Sequence, residues 1–201
     1  MVLVIYLIVV FKIKRLKALG LVVLPSAFLL VASGLLDTPE IAYLPPTFHT
    51  IWLVIHIFFN KLALGSILIA LGCAIFYLKK QEKDGGYGTA MADRLPDPAS
   101  LDVYAYRFCG FAFVFWTITI MAGSIWAHRS WGRYWGWDPI ETWSVVTWLV
   151  FGLYMHLRRF HGLKGRNAAL FMIICFIFVI ITLFLIPFIT KTIHTEYLIP
   201  A

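Results

Sequence analysis

Residues 168–190 form an apolar stretch that contains no Asp, Glu, Lys or Arg. A helix of about 20 such residues spans the hydrocarbon core of a bilayer, where every backbone N–H and C=O needs a partner within the chain. The whole chain of 201 residues is 61% hydrophobic and 13% charged, whereas soluble proteins are about 25% charged. These features predict an all-α, polytopic integral membrane bundle: one membrane domain over 1–201, with its core at 50–194.

Polar loops divide the apolar runs into about six transmembrane segments. Residues 2–11 are too few to cross a core of about 30 Å, so we interpret them as the inner part of a first helix whose start is missing or mis-assigned. Basic residues follow this run and none precedes it, so we do not expect a signal peptide here. The other spans are predicted at 18–36, 51–78, 108–127, 139–154 and 168–190, with polar loops at 37–50 and after residue 78.

The positive charges report the orientation of the spans. Thirteen of the 17 Lys and Arg residues fall at 12–17, 79–107 and 157–166. Basic loops stay on the cytoplasmic side of a membrane, so we expect a bacterial plasma (inner) membrane protein with segment 126–148 outside. The net charge of +7 is then a topology signal, and we predict membrane lipid but no nucleic acid as a partner.

Six of the eight tryptophans fall between Trp126 and Trp148. The segment is too polar and too rich in glycine to span a bilayer, and it predicts an external aromatic shelf that accepts a large flat partner. The alternative is an interfacial aromatic belt, which places one or two Trp or Tyr at a helix end. The candidate binding residues are Trp126, Trp131, Trp135, Trp137, Asp138 and Trp143, with Arg129 and Arg133 facing either carboxylate groups of that partner or lipid headgroups.

Two histidines are predicted at a similar outer depth near this shelf. His56 lies about five residues inside the third span, with Asn60 on the same helix face, and His194 follows the last span. A polar group inside a span indicates a functional site, although a neutral histidine bonded to a neighbouring helix is the alternative for His56. Two imidazoles on opposite sides of a flat macrocycle would make His56 and His194 the ligands of a six-coordinate haem iron.

A third histidine belongs to the opposite boundary. Residues 138–141 read Asp-Pro-Ile-Glu, which predicts a helix start with an N-cap, a first-position proline and a capping glutamate. His156 is then about 27 Å further along that helix. It is either an interfacial residue or half of an inner haem site whose other ligand this chain lacks. We expect His161 to be solvated and keep His128 as a reserve ligand.

The run from Trp131 to Trp143, WGRYWGWDPIETW, resembles the tryptophan-rich WWD segment of cytochrome c assembly proteins that handle haem. Within that group the sequence is most similar to the CcsA/ResC type of system II. The resemblance extends to WLVIH at 52–56, LDVYAYR at 101–107 and TWLVFGLYMHLRR at 147–159, so that it covers about residues 50–160.

This resemblance implies a site and a set of partners. His56 and His194 would ligate haem b beside the shelf, and His156 would belong to the inner haem site. Together with a ResB/CcsB-type membrane protein, which would supply the missing inner ligand, the chain would move haem outward. It would be a component of a cytochrome c haem lyase that joins the haem vinyl groups to the CxxCH thiols of apocytochrome c.

Three other functions stay open from the sequence. The shorter CcmC type also has two outer histidines and loads haem onto a chaperone, but the Asp-Pro-Ile-Glu-Thr-Trp continuation favours the CcsA type. A b-type membrane cytochrome that transfers electrons from quinol needs paired histidines at matched depth inside the bundle, and the histidines here concentrate at the outer rim. A small-molecule permease lined by Asn60 and Lys61 would leave the tryptophans unexplained.

Overall fold

The computed structural model describes residues 2–35, 50–82 and 96–190, and the regular structure in these ranges is helical throughout. This confirms the all-α prediction. In chain order the elements are α1 (Val2–Lys12), a 3-10 helix (Lys14–Leu19), α2 (Gly20–Leu35), α3 (Ile51–Glu82), α4 (Pro98–Trp131), α5 (Pro139–Phe160) and α6 (Gly165–Ile180), which continues through a π-helical turn (Ile181–Leu185) into α7 (Ile186–Ile189).

Three helices in the described ranges are long and apolar enough to cross a membrane: α3, α4 and the continuous helix from Gly165 to Ile189. The predicted membrane character is therefore confirmed. α5 has 22 residues, which at 1.5 Å per residue would also cross, but it is more polar than these three. α2 is shorter, at 16 residues, and contains Pro25 within the helix as expected. The predicted loop at 37–50 lies almost wholly outside the described residues, as does much of the loop after residue 78.

The fourth predicted span was too short. α4 begins at Pro98 and ends at Trp131, instead of covering 108–127. The Asp97 carboxylate caps the helix by accepting hydrogen bonds from the Ser100 backbone N–H and hydroxyl at 2.9 and 2.7 Å, and these bonds lower the pKa of Asp97. Proline at the first position is also favourable. The whole LDVYAYR motif is therefore helical, and the Trp-rich segment 126–148 begins with the last six residues of α4.

The predicted start of α5 is confirmed. The Asp138 side chain accepts hydrogen bonds from the Ile140 N–H at 3.0 Å and from the Glu141 N–H. Glu141 Oε2 accepts one from the Asp138 N–H at 3.2 Å, which completes a capping box. Gly132, the residue after α4, caps that helix in the left-handed conformation, with φ 74°. Residues 132–138 thus form a short turn between two helices, and we call the end of the bundle that carries this turn the aromatic end.

The core forms around α3, which packs mainly against α4 and then against α6 and α1. Small buried residues recur along α3 every three or four positions, at Ala63, Ser66, Ala70 and Ala74. Small residues let helix backbones approach closely, which drives helix association in a membrane where lipid removes the hydrophobic contribution. α3 is therefore held on several sides, and it carries His56 near its first turn as a fixed scaffold.

A partly buried ion pair closes the opposite end of the bundle, which we call the basic end. Arg158 of α5 donates to Asp102 of α4, with Nη1 to Oδ1 at 2.7 Å and Nη2 to Oδ2 at 2.9 Å. The N–H of Gly165, the first residue of α6, adds a third hydrogen bond to Oδ1 at 3.3 Å. One carboxylate therefore joins three helices.

Candidate functional site

A cavity of about 120 Å³ lies at the aromatic end, between α3, α4, α5 and the π-helical turn. An apolar cavity of about 150 Å³ is large enough for benzene, so this cavity has room for roughly one ring of a larger flat ligand. Its polar lining residues come from three helices and the π-helical turn, and its aromatic walls come from α4 and the 132–138 turn. The polar residues are His56, Asn60, Thr119, Ser124, Glu141, Ser144 and Thr182.

His56 is half-buried in this cavity and bonds to the neighbouring helix. Its Nδ1 lies 2.9 Å from the carbonyl oxygen of Thr119 on α4. A carbonyl oxygen can only accept a hydrogen bond, so Nδ1 carries the hydrogen and, in the neutral ring, Nε2 carries the lone pair. This arrangement is found in metal-binding histidines, where a hydrogen bond to one nitrogen orients the other toward the metal. The predicted link to a neighbouring helix and a ligand role are thus compatible.

The predicted relation between His56 and Asn60 is consistent with the fold, because both side chains line the cavity from the same face of α3. The predicted partner His194 lies outside the described residues, so the pairing of the two histidines stays a prediction. His128, the reserve ligand, is exposed and stacks on the Tyr134 ring at 4.1 Å between centroids. It is not among the residues that line the cavity.

The Trp-rich segment divides into tryptophans that line the cavity and tryptophans that do not. Trp126 and Trp135 line it, and the His56 ring lies roughly parallel to that of Trp126 at 6.4 Å. Trp131 packs edge-on against Trp126 at 4.9 Å. Trp143 lies against Phe178 on α6 at 6.2 Å. The structure therefore brings two of the predicted shelf tryptophans to the cavity that His56 lines, with Trp131 packed against one of them.

Trp137 is the exposed tip of the turn. Its side chain is 73% exposed, and its backbone has a φ of 55°. A bulky residue in the left-handed region costs free energy and persists where the surrounding structure imposes it. Two contacts hold Trp137 in this conformation. One is the cap of α5 that follows it, and the other is the edge-on packing of its ring against Trp135 at 5.9 Å. The turn therefore holds a large aromatic face outward beside the cavity.

Glu141 links the turn to the cavity wall. Its Oε2 accepts hydrogen bonds from the N–H groups of Gly136 and Asp138, at 2.8 and 3.2 Å. The Arg133 guanidinium folds over Gly136, where a β-carbon would collide with it, while Arg129 is exposed. The capping signal at 138–141 predicted the helix start, but it gave no sign that Glu141 would also line the cavity.

Several cavity residues were missed by sequence reasoning because nothing local marks them. Trp116 is almost fully buried and donates from Nε1 to the Ser144 carbonyl at 3.0 Å. Thr182 is buried in the π-helical turn, where its hydroxyl lies 2.7 Å from that of Thr147 on α5. π-helical turns inside α-helices are frequent at functional sites. Only the packing of α4, α5 and α6 brings these groups together.

His156 lies on an exposed face of α5 near the basic end. Its ring is 5.4 Å from that of His161, which we expected to be solvated and which is indeed exposed. The predicted distance from the N-cap of α5 is supported, because the helix is continuous to Phe160. His156 is therefore not part of the cavity around His56.

The comparisons with a family model and with curated proteins agree on one family. A family model described as cytochrome C assembly protein matches residues 1–194. The chain is similar to proteins named cytochrome c biogenesis protein CcsA from Trieres chinensis (32% identical, covering 83% of this chain and 63% of the relative), Chlamydomonas reinhardtii (35%, covering 81% and 46%) and Guillardia theta (32%, covering 90% and 67%). The chain spans between about half and two thirds of the length of these curated relatives.

Proposed function

The chain belongs to the cytochrome c assembly family, and on that premise we propose that it holds haem at its aromatic end for cytochrome c maturation. The acceptor would be the CxxCH motif of apocytochrome c, to which the haem becomes attached by thioether bonds. The chain's own task in this proposal is mainly to fix the position of a bound group relative to an incoming one, which lowers the entropic barrier to reaction.

The main observation that supports the proposal is the orientation of the His56 ring. Its Nδ1 donates to the Thr119 carbonyl, so the neutral ring presents Nε2, the kind of nitrogen that ligates haem iron. Trp126 and Trp135 supply flat apolar surface beside it. Because the cavity has room for about one ring, most of a macrocycle would lie outside it, against the 132–138 turn and the exposed face of Trp137.

The donor set fits haem in chemistry. Bound haem would supply an iron that takes imidazole ligands and vinyl groups that accept thiols, with haem b as the proposed form. In this proposal His56 and His194 would hold the iron, and the tryptophans would hold the ring. Arg129 and Arg133, near the turn, would meet the propionates, since guanidinium groups pair with carboxylates in two parallel hydrogen bonds.

The location and the partners are part of the same proposal. We propose a bacterial inner membrane as the location, and the distribution of basic residues supports placing the aromatic end outside. The exposed position of His156 supports an inner haem site completed by a ligand from elsewhere, for which we propose a ResB/CcsB-type membrane protein. The two proteins together would form the cytochrome c haem lyase.

The absorption spectrum of the detergent-purified protein tests this function. We expect the protein from a haem-replete host to carry haem with the spectrum of a six-coordinate iron. The His56→Ala variant should lose most of the haem or give an altered spectrum that added imidazole restores, since free imidazole can replace the missing side chain. The matched control is His128→Ala, an exposed histidine at the same end, which should leave the spectrum unchanged.

Co-expression with a ResB/CcsB-type protein decides the outcome if the isolated chain loses haem during purification. Haem-free protein in both preparations would contradict the proposal and leave the tryptophans as an interfacial belt. Haem that is oxidised or reduced rapidly by a quinone pool would instead indicate an electron-transfer cytochrome. Transfer of haem to a soluble chaperone without thioether formation would indicate a CcmC-type loader.

A further inference from the structure

α3 and α4 approach each other very closely where His56 meets Gly123. A β-carbon built on Gly123 would lie 2.7 Å from His56 Nδ1 and 3.0 Å from Cε1. These separations are well below van der Waals contact for carbon atoms, which is about 3.5–4.0 Å. The imidazole therefore lies flush against the backbone of α4, at a position where any side chain other than hydrogen would occupy its space.

Helix geometry explains why the glycine stands at this position. In an α-helix the N–H of residue i donates to the carbonyl of residue i−4, so Gly123 is the residue directly beyond the Thr119 carbonyl. A ring that bonds to the second lone pair of that oxygen must pass over the α-carbon of residue 123. The hydrogen bond at 2.9 Å from His56 Nδ1 and a side chain at position 123 therefore compete for the same space.

The Thr119 hydroxyl takes no part in this contact. Thr119 Oγ1 donates to the Phe115 carbonyl at 2.9 Å within its own helix, and the residue is buried. The group that meets His56 is thus a backbone carbonyl, which always accepts and never donates. A hydroxyl partner could stabilise either tautomer of the imidazole, whereas a carbonyl stabilises the form with hydrogen on Nδ1.

We infer that Gly123 is a positioning residue for His56, an inference that rests on the proposed function. Its missing side chain lets Nδ1 reach the Thr119 carbonyl, which selects the Nδ1–H tautomer and leaves Nε2 as the nitrogen offered to the haem iron. Hydrogen bonds of this kind fix the tautomer and ring orientation of metal-binding histidines, and losing them typically lowers metal affinity 10- to 100-fold. Position 123 thereby determines how well His56 can serve as a ligand.

The direct test is ¹⁵N NMR of the protein labelled in histidine and produced without haem, with the His56 signals assigned by comparison with His56→Ala. In the wild type we expect the Nδ1–H tautomer. In Gly123→Ala the Cβ displaces the ring, so that tautomer should lose its dominance and the Nε2–H form should appear. Thr119→Val, which keeps the carbonyl and removes the hydroxyl, should retain the wild-type tautomer.

The matched control is Gly110→Ala on the same helix. There the new Cβ would meet the end of the flexible Met155 side chain at 3.3 Å, which can move aside, so the His56 signals should not change. After reconstitution with haem, Gly123→Ala should bind at least tenfold more weakly than Gly110→Ala, and added imidazole should restore the six-coordinate spectrum.

The outcomes separate this inference from the proposed function. An Nε2–H tautomer in the wild type, or an unchanged Nδ1–H tautomer in Gly123→Ala, would overturn the inference, even if haem binding still depended on His56. The expected tautomers in a protein that binds no haem would uphold the positioning of His56 and overturn the haem proposal. A thermal unfolding curve for Gly123→Ala that matches Gly110→Ala excludes misfolding as the cause of a tautomer change.

Discussion

Replacing Arg158 by alanine is expected to destabilise the folded protein by about 1.5–3 kcal/mol, the usual contribution of hydrogen bonds to charged groups. The Arg158 side chain is 6% exposed and that of Asp102 is 15% exposed, so little water reaches either group. The guanidinium also lies 5.0 Å from the centroid of the Tyr106 ring. Without it, the Asp102 carboxylate retains the Gly165 N–H but loses two charge-assisted hydrogen bonds.

The three buried free cysteines provide a way to measure this loss of stability. Cys73, Cys109 and Cys175 are covered by the bundle, so a thiol-reactive fluorophore reports the temperature at which the helices separate. We expect that temperature to fall sharply in Arg158→Ala. The matched control is Arg159→Ala, because Arg159 is the exposed neighbour on the same helix and its loss should change stability by less than about 0.5 kcal/mol.

A second comparison distinguishes a lost ion pair from lost packing. Combining Asp102→Leu with Arg158→Met removes both charges, and apolar replacement of a buried pair is often close to neutral. We expect a partial recovery, because the N–H of Gly165 then loses its acceptor. If Arg158→Ala unfolded at the same temperature as Arg159→Ala, the ion pair would not hold the basic end together.

The Asp102–Arg158 pair also illustrates what the sequence could not provide. Both residues stand in stretches that resemble the assembly family, LDVYAYR and TWLVFGLYMHLRR, yet no local signal joins two side chains that are 56 positions apart. Their meeting depends on α4 and α5 being antiparallel neighbours. Predictions that rest on helical periodicity or capping were reliable because their causes lie within four residues, as with the Asp138 cap.

The candidate site, too, could be predicted only in part from the sequence. The placement of His56 and Asn60 on one helix face followed from the 3.6-residue period. The sorting of the tryptophans did not, because a dense Trp-rich stretch looks uniform in sequence. Only the end of α4 at Trp131 and the start of α5 at Pro139 decide that Trp126 and Trp135 face the cavity while Trp143 faces α6. The missed Asp97-Pro98 signal is different, since that cap could have been read from the sequence.

Trp116→Ala should mainly lower the stability of the fold, whereas Trp137→Ala should mainly lower the retention of the ligand. Trp116 is 2% exposed and packs against Phe151 beneath the cavity at 6.0 Å. Its removal creates a large void and ends the hydrogen bond to the Ser144 carbonyl, so we expect a loss of about 3–5 kcal/mol in stability. Trp137 is 73% exposed, and its removal should change stability by no more than about 0.5 kcal/mol.

Haem retention, by contrast, should depend on Trp137. If most of the bound macrocycle rests outside the cavity, as its size requires, Trp137→Ala should weaken haem retention in detergent while the unfolding temperature stays that of the wild type. A Trp137→Phe variant, which keeps an aromatic face, should retain more haem than Trp137→Ala.

Should Trp137→Ala instead unfold as early as Trp116→Ala, the 132–138 turn would be part of the folding core, and its outward aromatic face could not be assigned to ligand contact. Unchanged haem retention in a stable Trp137→Ala would limit the binding surface to the cavity and to His56, Trp126 and Trp135.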